Sequence, residues 1–487
     1  MLFNSYEFLF LFFPIALLGY FALGRREDSN AANLWLVAAS LFFYSYWNVR
    51  YLPLLLASIA FNYACSGVIL RYRKRADKRT VRKGAFIFGL VMNAGLLGFY
   101  KYTDFFLENV NFIAGTHFNL LHIILPLGIS FFTITQMVYL VDCYEGVAKD
   151  HNLVNYTLFV SFFPHLLAGP ILYHKPMMKQ FANPETKTVQ WENIARGFTL
   201  FIIGLAKKVL LADTFMTYVS PGFNDPAGLT FVDAWITALS YMFQLYFDFS
   251  GYSDMAVGLA RMMNIEIPVN FNSPYRAKGL IDFWQRWHMS LTTVITNYLY
   301  TPIFRSCRNL TFRNAMWATF LAMFIAGIWH GAGWTFIVFG TMHGVGLVVN
   351  HVWKHYHLPM NIFLGRAVTL LWVMVAFVFF RADSIHDAWL IMMAMCDPSQ
   401  LILPTGGIVE KYFVFLKDSG VIFSGDAMFM GLKYILVGSL CVAFLPSSNR
   451  IVERMKPTLI WAFVVAAVGF VSMIRMGSYS EFLYFQF

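Results

Sequence analysis

Apolar runs long enough to lie in lipid recur along this chain, and short basic stretches punctuate them. No water in the hydrocarbon core of a bilayer satisfies backbone N–H and C=O groups, so a segment placed there closes its own hydrogen bonds, as a helix does. Only 13% of the residues are charged and 58% are hydrophobic, with a mean hydropathy of +0.57, whereas soluble domains run near ~25% charged. The expected fold class is therefore an all-α polytopic membrane protein, one integral membrane domain over residues 1–487.

The basic loops orient it. Arg71, Arg73, Lys74, Arg75, Lys78, Arg79, Arg82 and Lys83 face only Asp77. Such short loops stay in the cytoplasm. Upstream, Phe8–Leu23, Leu34–Trp47 and a third run ending at Leu70 read as spans, with Arg25-Arg26 also inside and the N-terminus outside. The first run lacks a basic flank before it and a cleavage pattern after it, so it reads as retained. Ala85–Tyr102 goes out, Glu108–His117 is external and Leu120–Cys143 returns. Phe159–Ile171, broken by Pro164 and Pro170, is re-entrant or interfacial. Phe198–Val219 is helical but carries Lys207 and Lys208, which must reach a cavity or a membrane face unless the helix leaves the hydrocarbon.

Trp235–Gly251 is a span, and Arg305, Arg308 and Arg313 mark a second inner loop. Ala315–Trp329 then runs outward, Trp334–Val349 inward to Lys354, and Arg366–Arg381 outward. Ser384–Phe423 is external, Met428–Leu445 returns to a basic loop at Arg450, Arg454 and Lys456, and Leu459–Ile474 leaves Tyr479–Phe487 outside. This path has about eleven spans. The formal charge of +10 lies mostly in these loops, and no nucleic-acid-binding motif accompanies it. Five cysteines, Cys65, Cys143, Cys307, Cys396 and Cys441, have no metal-ligand or redox spacing.

Polar residues inside such a chain are the functional candidates. Foremost is His330, in Trp329-His330-Gly331-Ala332-Gly333-Trp334. A histidine near a helix end often only hydrogen-bonds a carbonyl; here the flanking glycines remove bulk and permit irregular backbone, which at membrane depth lines a cavity or is buried in protein. Gln244, Asp248 and Tyr252 form one helix row. In the aromatic stretch Gly279–His288, Asp282 with Arg286, and His288 with Thr292, are i,i+4 pairs on one amphipathic helix lying along an interface.

Phe247-Asp248-Phe249-Ser250-Gly251-Tyr252-Ser253-Asp254, Asn270-Phe271, Ser273-Pro274-Tyr275, Phe283-Trp284-Gln285-Arg286-Trp287-His288-Met289-Ser290-Leu291, Tyr298-Leu299-Tyr300-Thr301-Pro302 and Trp329–Trp334 occur in this order. Together they resemble the membrane-bound O-acyltransferase family, and within it the bacterial alginate O-acetyltransferase branch; Met1–Ser5 and Phe482–Phe487 resemble that branch's ends. The teichoic acid D-alanyl transfer branch is less similar.

The resemblance implies helices around a central tunnel, with His330 as the membrane histidine and His288 as the second histidine. Gln244, Asp248, Tyr252, Asn270, Trp284, Arg286, Trp329, Trp334 and His343 are the tunnel and substrate-binding candidates. His330 suits the general base that deprotonates an attacking hydroxyl, with an acyl-histidine as the alternative. His288 polarises the carbonyl, positions the acceptor or only braces the tunnel. No metal-ligand spacing surrounds either histidine. The donor implied is a cytoplasmic thioester such as acetyl-CoA, with no bound cofactor. Acceptors in the resembled branch are surface glycans, among them alginate, cellulose and peptidoglycan, usually reached through a separate extracytoplasmic transferase. A transporter and a scaffold of a polysaccharide export complex are the competing classes. Paired repeat halves would favour the transporter, and none is seen in the sequence. The expected location is the bacterial inner membrane, with both ends extracytoplasmic.

Overall fold

A computed structural model describes residues 1–25, 29–400, 402–404, 422–424, 426–476 and 483. Described residues are helical or irregular except for one parallel pair of three-residue strands, Ile402–Pro404 with Ile422–Ser424, in register Ile402 to Ile422. That pair is the one departure from an all-α fold. Arg26, Leu401, residues 405–421, and the tail from Tyr479 except Leu483 lie outside the described residues, and the expectations for them with it.

Four helical segments are long and apolar enough to cross a membrane: Val49–Arg71, Ala76–Ala114, Trp334–His355 and Ile362–Arg381. A pair bent by 52°, Met430–Phe444 with Ser448–Arg454, makes a fifth. Others fall short in length, among them Phe8–Gly24 and Leu459–Arg475. This is a multi-pass, helical membrane protein.

The chain divides into two units. The first comprises Met1–Leu205, Tyr252–Asn270 and Val452–Gly469. Phe3, Phe8, Phe12, Phe43 and Phe163 pack edge-on and stacked in its core. Asn62 and Asn93, both buried, exchange side-chain amide hydrogen bonds of 3.1 and 2.7 Å between Leu52–Arg71 and Arg79–Ala114. A mutual amide pair satisfies polar groups that lipid or core would otherwise strand.

Two expectations change here. The helix expected to end at Tyr102 continues to Ala114, where Gly115 turns left-handed at φ +64°. Asp104 and Glu108 look like residues beyond the span in sequence, but the 36-residue helix is about 54 Å long, longer than the ~30 Å hydrocarbon core. Its polar end needs no lipid. The following helix starts at Ile129 rather than Leu120, because Gly128, at φ +69°, sets its start just after Pro126. The broken segment keeps its irregular character: Leu153–Ser161 stops at Phe162 and one turn, Phe163–Leu166, follows.

The second unit comprises Ala206–Gly251, Phe271–Ile451 and Phe470–Phe487. It holds the Phe312–His330 and Trp334–His355 hairpin, the Ile362–Arg381 helix and the short helices around His288. In the stretch expected to be external, Ile385–Cys396 is a helix. Ser384 accepts the Asp387 N–H at 3.0 Å and donates to its carboxylate at 2.7 Å. The Ser-x-x-Asp start signal is present in the sequence and outweighs the mixed charge around it.

Candidate active site

Glycines bring the two arms of the His330 hairpin together. A Cβ on Gly327 would stand 2.5 Å from Gly340 Cα, so these helices touch backbone to backbone. Small residues permit such approach in membrane helices. At the hinge, a Cβ on Gly331 would meet the Phe336 ring at 2.1 Å. Gly331 is extended and ends the helix directly after His330. The irregular backbone expected around this histidine is thus a three-residue break.

His330 is half-buried at that break. Phe339 and Phe380 present ring edges or faces to it at 5.8 and 5.4 Å, and Trp329 lies at 5.1 Å. Phe339 also meets His343 at 4.7 Å, one turn further along the same helix. His343 is fully buried. The Trp284 indole N–H donates to its Nδ1 at 3.2 Å. A ring nitrogen that accepts carries no proton, so the proton rests on Nε2. That Nε2 has no hydrogen-bond partner among the described residues. Phe339 therefore joins His330 at the open end to His343 inside, and Trp284 holds His343 with its Nε2–H uncommitted among the described residues.

His288 is placed differently. It is 1% exposed, its backbone is left-handed at φ +43°, and its ring meets Phe249 edge-on at 4.7 Å. Neither ring nitrogen meets a partner outside its own residue among the described residues. Burial pushes its pKa down to about 3, because a charged imidazolium is disfavoured away from water. No ring contact joins it to His330 among the described residues. Between them run Phe339–Phe377 at 6.4 Å, Phe377–Trp287 at 5.2 Å, Trp287–Phe271 at 5.0 Å and Phe271–Phe249 at 5.0 Å.

The single helix expected over Gly279–His288 is two short ones, Leu280–Trp284 and Met289–Val294. The left-handed His288 forces the break. The Thr292 hydroxyl does not pair with the His288 side chain; it donates to the Trp284 and Trp287 carbonyls at 3.0 and 3.3 Å, satisfying groups the broken helix frees. The Asp282–Arg286 pair forms at 2.7 Å. Burial works to raise the Asp282 pKa, but bonds from Arg286 and the Lys278 N–H outweigh it and hold the carboxyl below its usual range.

Of the other candidates, Asp248 receives a partner that sequence reasoning missed. Lys208 Nζ lies 2.7 Å from Asp248 and 2.8 Å from Asp213, all three side chains nearly sealed. Asp248 also accepts the Leu483 N–H at 3.3 Å. Lys208 and Asp213 sit five apart, a spacing an α-helix turns away from itself, but Lys207–Ala212 is a π-helical turn. Its wider winding brings them round. Lys207 instead bonds Ser250 at 3.3 Å and lies near the Tyr246 ring. Gln244 is buried, and its carbonyl oxygen has no partner among the described residues. Tyr252 and Asn270 belong to the first unit, where Tyr252 stacks on Phe3 at 4.7 Å and Asn270 donates to Ser253 at 3.3 Å. Trp329 is half-buried, and Trp334 is 55% exposed at the start of its helix.

The model of the membrane-bound O-acyltransferase family matches residues 41–385. The chain belongs to that family. Similar members include a peptidoglycan O-acetyltransferase of Helicobacter pylori, 40% identical across 100% of this chain and 98% of the relative. A probable alginate O-acetylase of Pseudomonas aeruginosa is 39% identical over 81% of this chain and 75% of its own length. A teichoic acid D-alanyltransferase of Streptococcus thermophilus is 28% identical over 54% of this chain and 69% of its own. The expected emphasis on the alginate branch shifts, since the full-length likeness is to a peptidoglycan enzyme. The chain is a membrane-bound O-acetyltransferase, and the competing transporter and scaffold readings fall. In this O-acetyltransferase the Trp329–Trp334 motif is a helix break carrying a half-open histidine. Its second motif histidine lies behind an aromatic wall.

Proposed function

We propose that this O-acetyltransferase moves acetyl groups from a cytoplasmic thioester, acetyl-CoA, toward a cell-surface glycan, and that the glycan is peptidoglycan. The likeness along the whole chain to a peptidoglycan O-acetyltransferase supports the acceptor. Alginate is the second reading, supported by likeness over 81% of the chain. The half-buried His330 at the hairpin break carries the catalytic reading.

On this reading His330 takes the proton from the acceptor hydroxyl. The oxygen attacks the thioester carbonyl, the C–S bond breaks, and the thiol leaves with the proton. The His343 Nε2–H is the chain's candidate donor to the carbonyl oxygen, oriented by Trp284. About eleven spans around a tunnel, with both ends outside the inner membrane, would let donor and acceptor approach from opposite faces. The donor cannot cross the bilayer, so the hydroxyl acetylated at His330 belongs to an extracytoplasmic partner transferase, which then passes the acetyl group to the glycan.

The test is a deletion strain complemented with the intact protein. Muropeptide O-acetylation, measured by mass spectrometry, should be lost on deletion and restored by the gene. Unchanged muropeptides with altered acetate on an exopolysaccharide would replace peptidoglycan with that polymer. Full acetylation after deletion of every candidate partner would overturn the relay.

A further inference from the structure

The second unit holds a cavity of about 780 Å³ whose lining includes the candidate Arg286 but neither His330 nor His288. Two of its walls are Trp334–His355 and Ile362–Arg381, both long and apolar enough to span. The third is the Leu280–Trp284 helix with the chain before it. The two spans are consecutive, so the end of the first and the start of the second lie on one membrane face. Lys354 and Arg366 mark that end, and Lys278 joins Lys354 on the cavity lining. Both lysines are exposed, and neither ammonium forms an ion pair among the described residues, although the Lys278 backbone N–H donates to the Asp282 carboxylate.

The chemistry of the lining is one-sided. No Asp or Glu occurs between Asp282 and Asp383, although Arg286, Arg305, Arg308, Arg313, Lys354, Arg366 and Arg381 lie in that stretch. Asp282, the one acid on the lining, is already held by Arg286. Away from the lysines the cavity becomes apolar and aromatic. The indole N–H groups of Trp353, which adjoins Lys354, and of Trp372 are buried at the lining with no acceptor among the described residues. A Cβ on Gly346 would stand 2.8 Å from Trp372 Nε1, so the glycine makes room for that indole. Val349 and Val368 on the lining, and Val345 and Leu371 on the same two spans, expose apolar side chains.

We propose that this cavity binds an anionic phospholipid: the phosphate between Lys278 and Lys354, the glycerol esters against the two indole N–H groups, and the upper acyl chains along Val349 and Val368. Phosphate is the shared chemistry of a lipid headgroup and of a soluble nucleotide. The bilayer source is favoured because the apolar half opens between two spanning helices whose flanking residues face lipid. Basic residues at the end of a span attract anionic headgroups, and unsatisfied buried donors call for an acceptor. Lipid held here would brace the start of the Leu280–Trp284 helix, which leads to His288. The site does not depend on which glycan the enzyme acetylates.

The experiment uses the full-length protein in nanodiscs of phosphatidylcholine with or without phosphatidylglycerol, with co-purifying lipid read by native mass spectrometry. Wild-type protein should retain phosphatidylglycerol over phosphatidylcholine. Lys278→Gln/Lys354→Gln should lower that retention by about thirty-fold. Lys83→Gln, on the other basic loop, serves as the folded control and should leave it unchanged. A thermal unfolding curve confirms that the double variant is folded. Equal retention by wild type and the folded double variant overturns the site. Displacement of the lipid by free coenzyme A, lost in the double variant, overturns the lipid assignment in favour of a soluble phosphate ligand.

Discussion

The two motif histidines sit in opposite surroundings. His330 closes a long helix, half-buried, with a glycine break on one side and three aromatic rings around it. His288 is sealed in a left-handed turn between two short helices, with its ring nitrogens unpartnered outside its own residue. Sequence places both in aromatic-rich motifs, yet the local chemistry differs. A base that takes a proton from a hydroxyl must be reachable and must tolerate charge while the proton is on it. His330 meets the first need at the open end of the hairpin. His288 is held neutral by burial, which suits a ring that donates or accepts a hydrogen bond without titrating.

The largest expected effect comes from His330→Ala. Acetyl transfer should fall by about 10²–10⁴-fold while the protein still inserts and accumulates, measured as glycan acetate per unit of membrane protein. Near-normal acetylation would erase the distinction between the histidines.

Next in size is Asp248→Leu. It strands Lys208 between one remaining carboxylate, Asp213, and an apolar wall. Removing one partner of a buried ion pair costs about 3–5 kcal/mol, and folded protein in the membrane should drop accordingly. Combining it with Lys208→Met should recover part of the loss. Stability unaffected by the single change would mean that buried polarity in this unit is not structural.

The pH response separates His288 from His330 more finely. The folded pKa of His288, about 3, lies below its unfolded value near ~6.5. Above pH 6.5 the ring is neutral in both states and contributes nothing. As pH falls, the unfolded chain gains a proton that the folded one refuses, so stability declines until the folded pKa is reached. The loss should be about 2 kcal/mol between pH 6.5 and 5, and His288→Asn should flatten that part of a thermal-unfolding profile. The same variant should retain more activity than His330→Ala; equal loss would make His288 as central as His330.

The smallest effect belongs to Asp282→Asn. Its bond to Arg286 is partly exposed, and such pairs contribute under about 1 kcal/mol. A larger drop in stability, read from the same unfolding curves, would show that the turn at His288 depends on this helix more than its solvent-exposed pair implies.

Hydropathy and the order of the aromatic motifs disclose the class of this protein and its family, because lipid exposure and backbone satisfaction leave helices as the answer for runs this apolar. They also mark His330, since a histidine inside such a run stands out, and they give the Asp282–Arg286 pair, which depends only on helical spacing. Three features needed the tertiary structure. The partner of Asp248 arrives from another helix through a π turn, so no α-helical spacing announces Lys208 and Asp213. The reach of the helix to Ala114 is hidden because polar residues beyond the bilayer look like loop residues in sequence. The separation of His288 from His330 by a run of packed aromatic rings arises from packing between elements distant in the chain. Local pattern and composition determine which segments become helices and which residues are costly to bury. Which of those costly residues are paired, sealed or left open is decided only when distant segments meet, because burial and partnership are properties of the packed neighbourhood rather than of spacing along the chain.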